Sequence, residues 1–541
     1  MATDWQTFPV EFKGGLISNL SPLQQGTNAI GSATTLQNFE PSLSGGYKKI
    51  KGYQKFNSGA IPIKDASGSV IGSPNDNQKR IQLVACVNNA YTALVARNDK
   101  YYVVDSSNVT QAHADNALNV SQRSTTSGGK IRFVNYNFGA GEKTLIVDGV
   151  NSIAYYDGSQ SVGSRVTFSD ETNAAFSGTV GSRFATVFKN HIILAKTNTI
   201  IVGAIGVDND FNNAGAGVIE INVKDTITGL IVFREQLIIF TKNSIQRITG
   251  SSATATDQFK LAPITDDIGC IREDTIQEVG GDVLFFAPDG IRSLSGTEKI
   301  GDFGLNVASK PIKKNVDSLL GTNFDSLILR EKGQYRLFAY NQGYTTGESE
   351  GLLATKFIDQ GGTGLNWATL RGIKSFTSDS RYYGAFNAVG ELTLFANEDG
   401  YIYQLEITNG FDGTEIKGIY ESPFMPIQDP TVRKTFYKLG LYLDPEGAIT
   451  ANVRVKYDQE QEGVVQPTSI DVVATGSGIV LYNQPTSTYD TDSYSTELNK
   501  LYNNNIIGSG KTIAIRIEEE STNPPFRLDT AVLEYSTETR Q

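Results

Sequence analysis

Between Asp225 and Gly296 the chain alternates short apolar runs with tight polar breaks. Ile227 to Phe233 is one run, Leu237 to Phe240 the next, and Ile245 to Ile248 a third. Arg234-Glu235-Gln236 and Thr241-Lys242-Asn243-Ser244 separate them. β-branched and aromatic residues fill the runs and turn formers fill the breaks, which predicts a three-stranded antiparallel meander. The phrase returns at once in Thr275 to Val279, Val283 to Phe286 and Ile291 to Leu294. Upstream copies begin near Leu83, Leu145 and Phe184; downstream copies cover Ser326 to Trp367 and Tyr383 to Leu405. Hairpin turns are expected at Asp148-Gly149, Asn243, Asp289-Gly290 and Asp399-Gly400. About seven copies, roughly 45 to 55 residues apart, have the period of a β-propeller blade. A β-solenoid is the competing architecture, but its repeats are shorter and need no three-strand meander.

From about residue 411 the phrase stops. Ala448 to Tyr457 alternates cleanly, with Ile449, Ala451, Val453, Val455 and Tyr457 on one face, and Ile513, Ile515 and Ile517 do the same. Period-two alternation marks half-buried strands and predicts a sandwich-like domain. A polar excursion from Tyr482 to Asn505 predicts an exposed loop with a short helix near Glu497 to Tyr502. Ser309 to Lys314 predicts another short helix with Pro311 in its first turn. The opening residues are irregular, with apolar anchors Phe12, Leu16, Leu23, Leu36, Phe39 and Tyr47 set among Gly14, Gly15, Pro22, Asn38, Gly45 and Gly46. Such a mix predicts an extended arm packed over other elements. The expected fold is therefore all-β: an arm and lead-in strands over 1–79, a propeller of about six to eight blades over 80–410, and a sandwich-like domain over 411–541.

Composition narrows the chemistry. The 541 residues contain two cysteines, Cys86 and Cys270, which excludes a disulfide scaffold and a Cys-based zinc site and points to synthesis in a reduced cytosol. The N-terminus has no basic segment followed by an apolar stretch, so no secretory signal is expected, and no apolar run is long enough for a membrane span. The net charge of −11 opposes generic phosphate binding through a basic face, although an acidic wall suits a passage through which DNA must slide.

Candidate catalytic groups are few. The two histidines, His113 and His191, fall in different repeats, so neither a His-based triad nor a two-His metal site can be assembled. Gly508-Ser509-Gly510-Lys511-Thr512 imitates a phosphate-binding loop, but Asn505 stands where its first glycine belongs and a strand follows. Asp208, Asp210 and Asn212 have the start of a calcium-loop spacing without its glycine or distal glutamate. Asp266-Asp267 with Glu273-Asp274 offers paired carboxylates, as glycosidases need, without an aromatic platform beside them. The Asn108 and Asn119 glycosylation patterns lack a secretory context. No catalytic residue, metal or cofactor is expected.

Gly14-Gly15-Leu16, Pro22-Leu23, Leu36-Gln37-Asn38 and Gly45-Gly46-Tyr47-Lys48-Lys49 resemble the opening of tail nozzle proteins of short-tailed phages, also called tail hub, tubular tail B or packaged-DNA stabilisation proteins. Asp208 to Phe211, Asp267 to Cys270 and Phe285 to Ile291 are similar to the central part of that family, and Arg433 to Asp444 to a later block. The resemblance implies a structural virion protein made in the host bacterial cytoplasm. It would be a homohexamer below portal and adaptor, passing DNA non-specifically through the ring lumen, retaining packaged DNA until ejection, and carrying a fibre or spike. The arm, with Phe12, Gly14, Gly15, Leu16, Pro22, Leu23, Asn38, Phe39, Gly45, Gly46, Tyr47, Lys48 and Lys49, is then the candidate assembly element. Its deletion over residues 1–53 is expected to leave folded β-structure. The alternative is a carbohydrate-binding or carbohydrate-active propeller. Sugar sites favour aromatic platforms and convergent acids, and only two tryptophans, Trp5 and Trp367, are present.

Overall fold

The computed structural model describes residues 5–42, 45–63, 69–72, 80–87, 92–98, 100–105, 111–112, 129–150, 152–156, 167–168, 179–208, 210–212, 217–252, 257–294, 307–319, 323–341, 350–359, 362–382, 390–475 and 500–537. The chain is a β-propeller protein. Seven antiparallel blades follow one another, opening with the strands Ile81–Val87, Arg132–Tyr136, Phe184–Phe188, Ile227–Phe233, Gln277–Val279, Asn323–Leu329 and Thr377–Tyr382.

Most blades hold four strands rather than the expected three. In the fourth, the meander of Ile227–Phe233, Gln236–Thr241 and Ile245–Thr249 gains Lys260–Thr265 on its outside. That outer strand is largely solvated, so it carries no continuous apolar run to announce it. Adjacent blades share apolar clusters, as in Phe188, Ile193 and Val202 of the third against Leu237 and Ile239 of the fourth. Each cluster removes two sheet faces from water, the main favourable term in such a stack.

The ring closes twice over. The opening strand of the seventh blade bonds to that of the first, with Thr377 Oγ1 accepting from the Val84 N–H at 3.4 Å and Asp379 Oδ2 from the Cys86 N–H at 2.7 Å. The outer strand of the seventh blade, Gly52–Lys55, comes from the arm and pairs with Ile402–Thr408.

The remaining arm strands are built into the sheets, and one of them threads between propeller and sandwich as expected. Gln6–Glu11 adds to Phe526–Thr537 at the edge of one sandwich sheet, where the Phe39–Pro41 and Tyr47–Lys49 hairpin also pairs. Thr35–Gln37 lies between the sixth blade and the sandwich, parallel to Gly362–Arg371 and antiparallel to Ile416–Glu421. One nine-stranded sheet thereby runs from the propeller into the C-terminal domain. The sandwich follows its alternation, with Ile449, Ala451, Val453, Val455 and Tyr457 all buried.

Two local expectations change. The arm contains a helix, Pro22–Asn28, capped by Ser21 with Pro22 in its first turn. Residues 500–502 open the strand Lys500–Gly510 instead of ending a helix, because they pair with Leu441 to Leu443. The helix expected near Pro311 forms, as a 3-10 turn Lys310–Ile312 running into Lys313–Ser318.

Candidate functional site

The opening strands of the blades face the propeller axis and line a narrow cavity of about 250 Å³. Phe133, Ala185, Leu230 and Ile276 share it with Lys130, Arg132, Asp274, Asp325 and Asp379. Lys130, Arg132 and Asp274 also line a wider cavity of about 460 Å³ at one mouth, bounded by Gly149, Arg183, Arg272 and Phe324.

Most of the charge in this channel is arranged as closed pairs. Arg132 donates through Nε and Nη2 to the two oxygens of Asp274, each at 2.7 Å, and through Nη2 to Glu273 at 2.9 Å. The Phe184 ring lies under the guanidinium at 4.4 Å. Lys130 reaches Asp325 at 2.6 Å, and Arg183 reaches Glu273 at 2.7 Å. Burial alone would raise the Asp274 pKa, but Arg132 and Lys130 outweigh it and hold the group at about 2. Burial wins at Glu273, whose carboxyl is raised despite Arg132 and Arg183. It also wins at Asp379, against hydrogen bonds from the Cys86 and Ser380 N–H groups.

Two carboxylates with diverging pKa values are the raw material of acid–base chemistry. Here both close on one guanidinium, so their oxygens are spent on Arg132 instead of facing each other across a substrate. Asp266 pairs with Lys224 on the surface, so the two acidic dipeptides do not form one site. Among the described residues no three His, Cys, Asp or Glu side chains gather as a metal group. Asp208 is tied to the second blade by Lys143 and the Tyr136 hydroxyl, while Asp210 Oδ1 accepts from the Asn212 N–H in a turn. At the phosphate-loop imitation, the Lys511 and Thr512 N–H groups donate to Asp458 Oδ1, 2.7 and 2.9 Å away, so a carboxylate of the chain itself fills the cradle. His191 is fully buried, with Nδ1 at 2.7 Å from the Gly203 carbonyl. His113, Asn108 and Asn119 lie outside the described residues.

The arm residues gather at the junction of propeller and sandwich. Phe12, Leu16, Phe39 and Tyr47 are buried in the shared core. Gly15, at φ +66°, lies so close to Trp367 that a Cβ would sit 2.8 Å from its backbone nitrogen. The Tyr47 hydroxyl accepts from the Gly15 N–H and donates to the Gly31 carbonyl, each at 3.0 Å. Asn38 adopts φ +54°, and its side chain donates to the Lys417 carbonyl and accepts from the Arg371 N–H. Lys49 pairs with Glu519, both nearly inaccessible, while Lys48 pairs with Glu446 at the surface. Gly14, Gly45 and Gly46 all take positive φ, Pro22 starts the helix, and Leu23 is exposed on it.

The turn residues hold their hairpins. Asp148 Oδ1 accepts from the Val150 N–H, and Gly149 has φ +79°. Asn243 donates to Asp225, and Asp289 pairs with Arg292. Gly290 has φ +138° and Gly400 +87°. Asp399 accepts from the Tyr401 N–H.

Lys130, Arg132, Asp325 and Asp379 escaped sequence reasoning. Their signal was available: charged residues recurring where the first strand of each repeat begins.

The class defined by these features is a seven-bladed β-propeller joined edge to edge with a β-sandwich. No family model and no curated protein sequence matches the chain. Among solved structures, the CNH domain of AfRom2 aligns with 66% of this chain and 99% of its own at 11% identity and a TM-score of 0.35. The Neurospora crassa Pan2 WD40 domain covers 66% of this chain and 97% of its own at 10% identity and a TM-score of 0.36. An exo-beta-1,3-galactanase from Phanerochaete chrysosporium, solved with galactose, covers 90% and 100% at 10% identity and a TM-score of 0.24.

Proposed function

We propose that this chain is the tail nozzle of a short-tailed bacteriophage, a structural virion protein. The observation that carries the reading is the arm. Its Gly14-Gly15-Leu16 and Gly45-Gly46-Tyr47-Lys48-Lys49 runs, which resemble that family, are the segments that join propeller to sandwich through Trp367 and Glu519. A particle component that bears load needs such a continuous body. The closed ion pairs of the channel also fit a part with no reaction to perform. In this reading the chain assembles as a homohexamer with a closed, heterologous interface. It meets the adaptor above, supports a fibre or spike, lets DNA pass, and turns over no substrate. Class-averaged electron micrographs of the protein mixed with portal and adaptor test it. Sixfold rings extending the adaptor are expected; a protein that stays monomeric and joins no such complex overturns the reading.

A second reading, a carbohydrate-binding or carbohydrate-active propeller, draws on a separate observation: carboxylates with opposed pKa shifts, Glu273 and Asp274, in an open cavity on the propeller axis. Turnover of a polysaccharide by the purified protein, lost in Glu273→Gln, would establish it and remove the proposal of a purely structural part.

A further inference from the structure

Among the described residues, the channel mouth holds one cation that the ion pairs leave out. Arg272 sits in the segment leading into the fifth blade, its guanidinium 5.0 Å over the Phe324 ring. Its Nε is buried and has no hydrogen-bond partner. The neighbouring carboxylates are taken: Asp274 by Arg132, and Glu273 by Arg132 and Arg183. No carboxylate among the described residues pairs with this guanidinium, so its Nη edge is what an acceptor entering the cavity meets. The cavity around it, about 460 Å³, is open to solvent and lies within the roughly 300–1,000 Å³ usual for small-molecule sites. Its rim combines Arg183, half-exposed, with the apolar side chains Ile271 and Val150, 40% and 36% exposed.

We propose that this mouth is a binding site for a small carboxylate-bearing ligand with one apolar face, namely an acidic sugar of the hexuronate class. Arg272 takes the carboxylate, because a guanidinium edge presents two parallel N–H groups that match two carboxylate oxygens. Phe324 beneath the guanidinium holds its plane. The C–H face of the pyranose ring packs on Ile271 and Val150. A neutral sugar brings no acceptor of matching charge to Arg272, and inorganic phosphate brings no ring for the apolar rim. The site deepens the second reading by naming a ligand class, and it is independent of ring assembly.

Calorimetric titration of the intact protein with D-glucuronate, D-glucose and inorganic phosphate tests the site. Glucuronate is expected to bind saturably, more tightly than phosphate, and glucose not at all. Arg272→Gln should weaken glucuronate binding about tenfold or more, the usual scale for a charge-assisted hydrogen bond. Ile271→Glu, at an exposed position, places a like charge against the ligand and should weaken it likewise while leaving the thermal transition in place. Absence of saturable glucuronate binding, or undiminished binding by both variants, overturns the site. Phosphate bound as tightly as glucuronate overturns the sugar assignment. Polysaccharide turnover that Glu273→Gln abolishes, in a protein that binds no glucuronate, separates failure of this site from failure of the second reading.

Discussion

A single carboxylate shows how the channel is tuned. Asp274 has a folded pKa of about 2, against an ordinary value of 3.8. Its stabilising contribution is therefore present above the ordinary value and is lost as pH falls through about 2. Asp274→Asn removes this term at neutral pH. The stability gap between native and variant protein, measured by denaturant unfolding, should narrow by about 2 kcal/mol between pH 5 and pH 2. A gap that stays constant would mean that Arg132 does not discriminate the two protonation states. The thiols make a second case. Burial is the largest cause of the raised pKa at both, with Cys270 pushed up to about 11 and Cys86 also raised, there with help from Asp379. Neither thiol should react with a labelling reagent at pH 8 until the protein is unfolded, because the thiolate is the reactive form. Labelling of folded protein within minutes contradicts their placement in the core.

At the scale of elements, what the sequence made legible follows from burial. Leu237 to Phe240 and Val283 to Phe286 are continuous apolar runs because both faces of an inner blade strand are covered. Outer strands such as Lys260–Thr265 have solvent on one side and a proline within, so nothing periodic marks them. The arm strands Thr35–Gln37 and Tyr47–Lys49 are three residues each, too short for any period to register. The channel pairs were illegible for another reason: Arg132 and Asp274 belong to the second and fifth blades, and only ring geometry joins them. The arm also corrects an expectation. Residues 1–53 include Phe12, Leu16, Phe39 and Tyr47 of the shared core and part of the strand that completes the seventh blade. Their deletion should abolish cooperative folding, since each lost core side chain costs about 2–5 kcal/mol against a total stability of about 5–15. A truncated protein with an intact, sharp thermal transition would show that the arm only decorates the fold.

For the whole molecule, continuity of hydrogen bonding decides how it comes apart. The sheet that starts at Asn323–Leu329 crosses Thr35–Gln37 and ends at Ile470–Thr475, so no linker separates propeller from sandwich. The buried Lys49–Glu519 pair and the Gly15 approach to Trp367 lie beside this crossing. Domains joined by a flexible linker unfold independently, whereas these two share a core. Scanning calorimetry should record one transition for the entire chain. Two peaks separated by more than a few degrees would show that the crossing strand transmits little.

That same crossing has a history in time. Gln6 pairs with Tyr535, Thr35 with Glu421 and Tyr53 with Leu405, so these residues leave the ribosome long before the partners they wait for. At a synthesis rate of about 5–20 residues per second, Gln6 emerges roughly half a minute to two minutes before its partner. Until residues 402 to 408 are made the propeller has an open seam, and Phe12, Leu16 and Phe39 wait with a core only partly built. The newborn chain is therefore an apolar ribbon whose fastening strands mate one after another, Gly52–Lys55 and Thr35–Gln37 before Gln6–Glu11. Its yield in a cell depends on what shelters that ribbon during the wait.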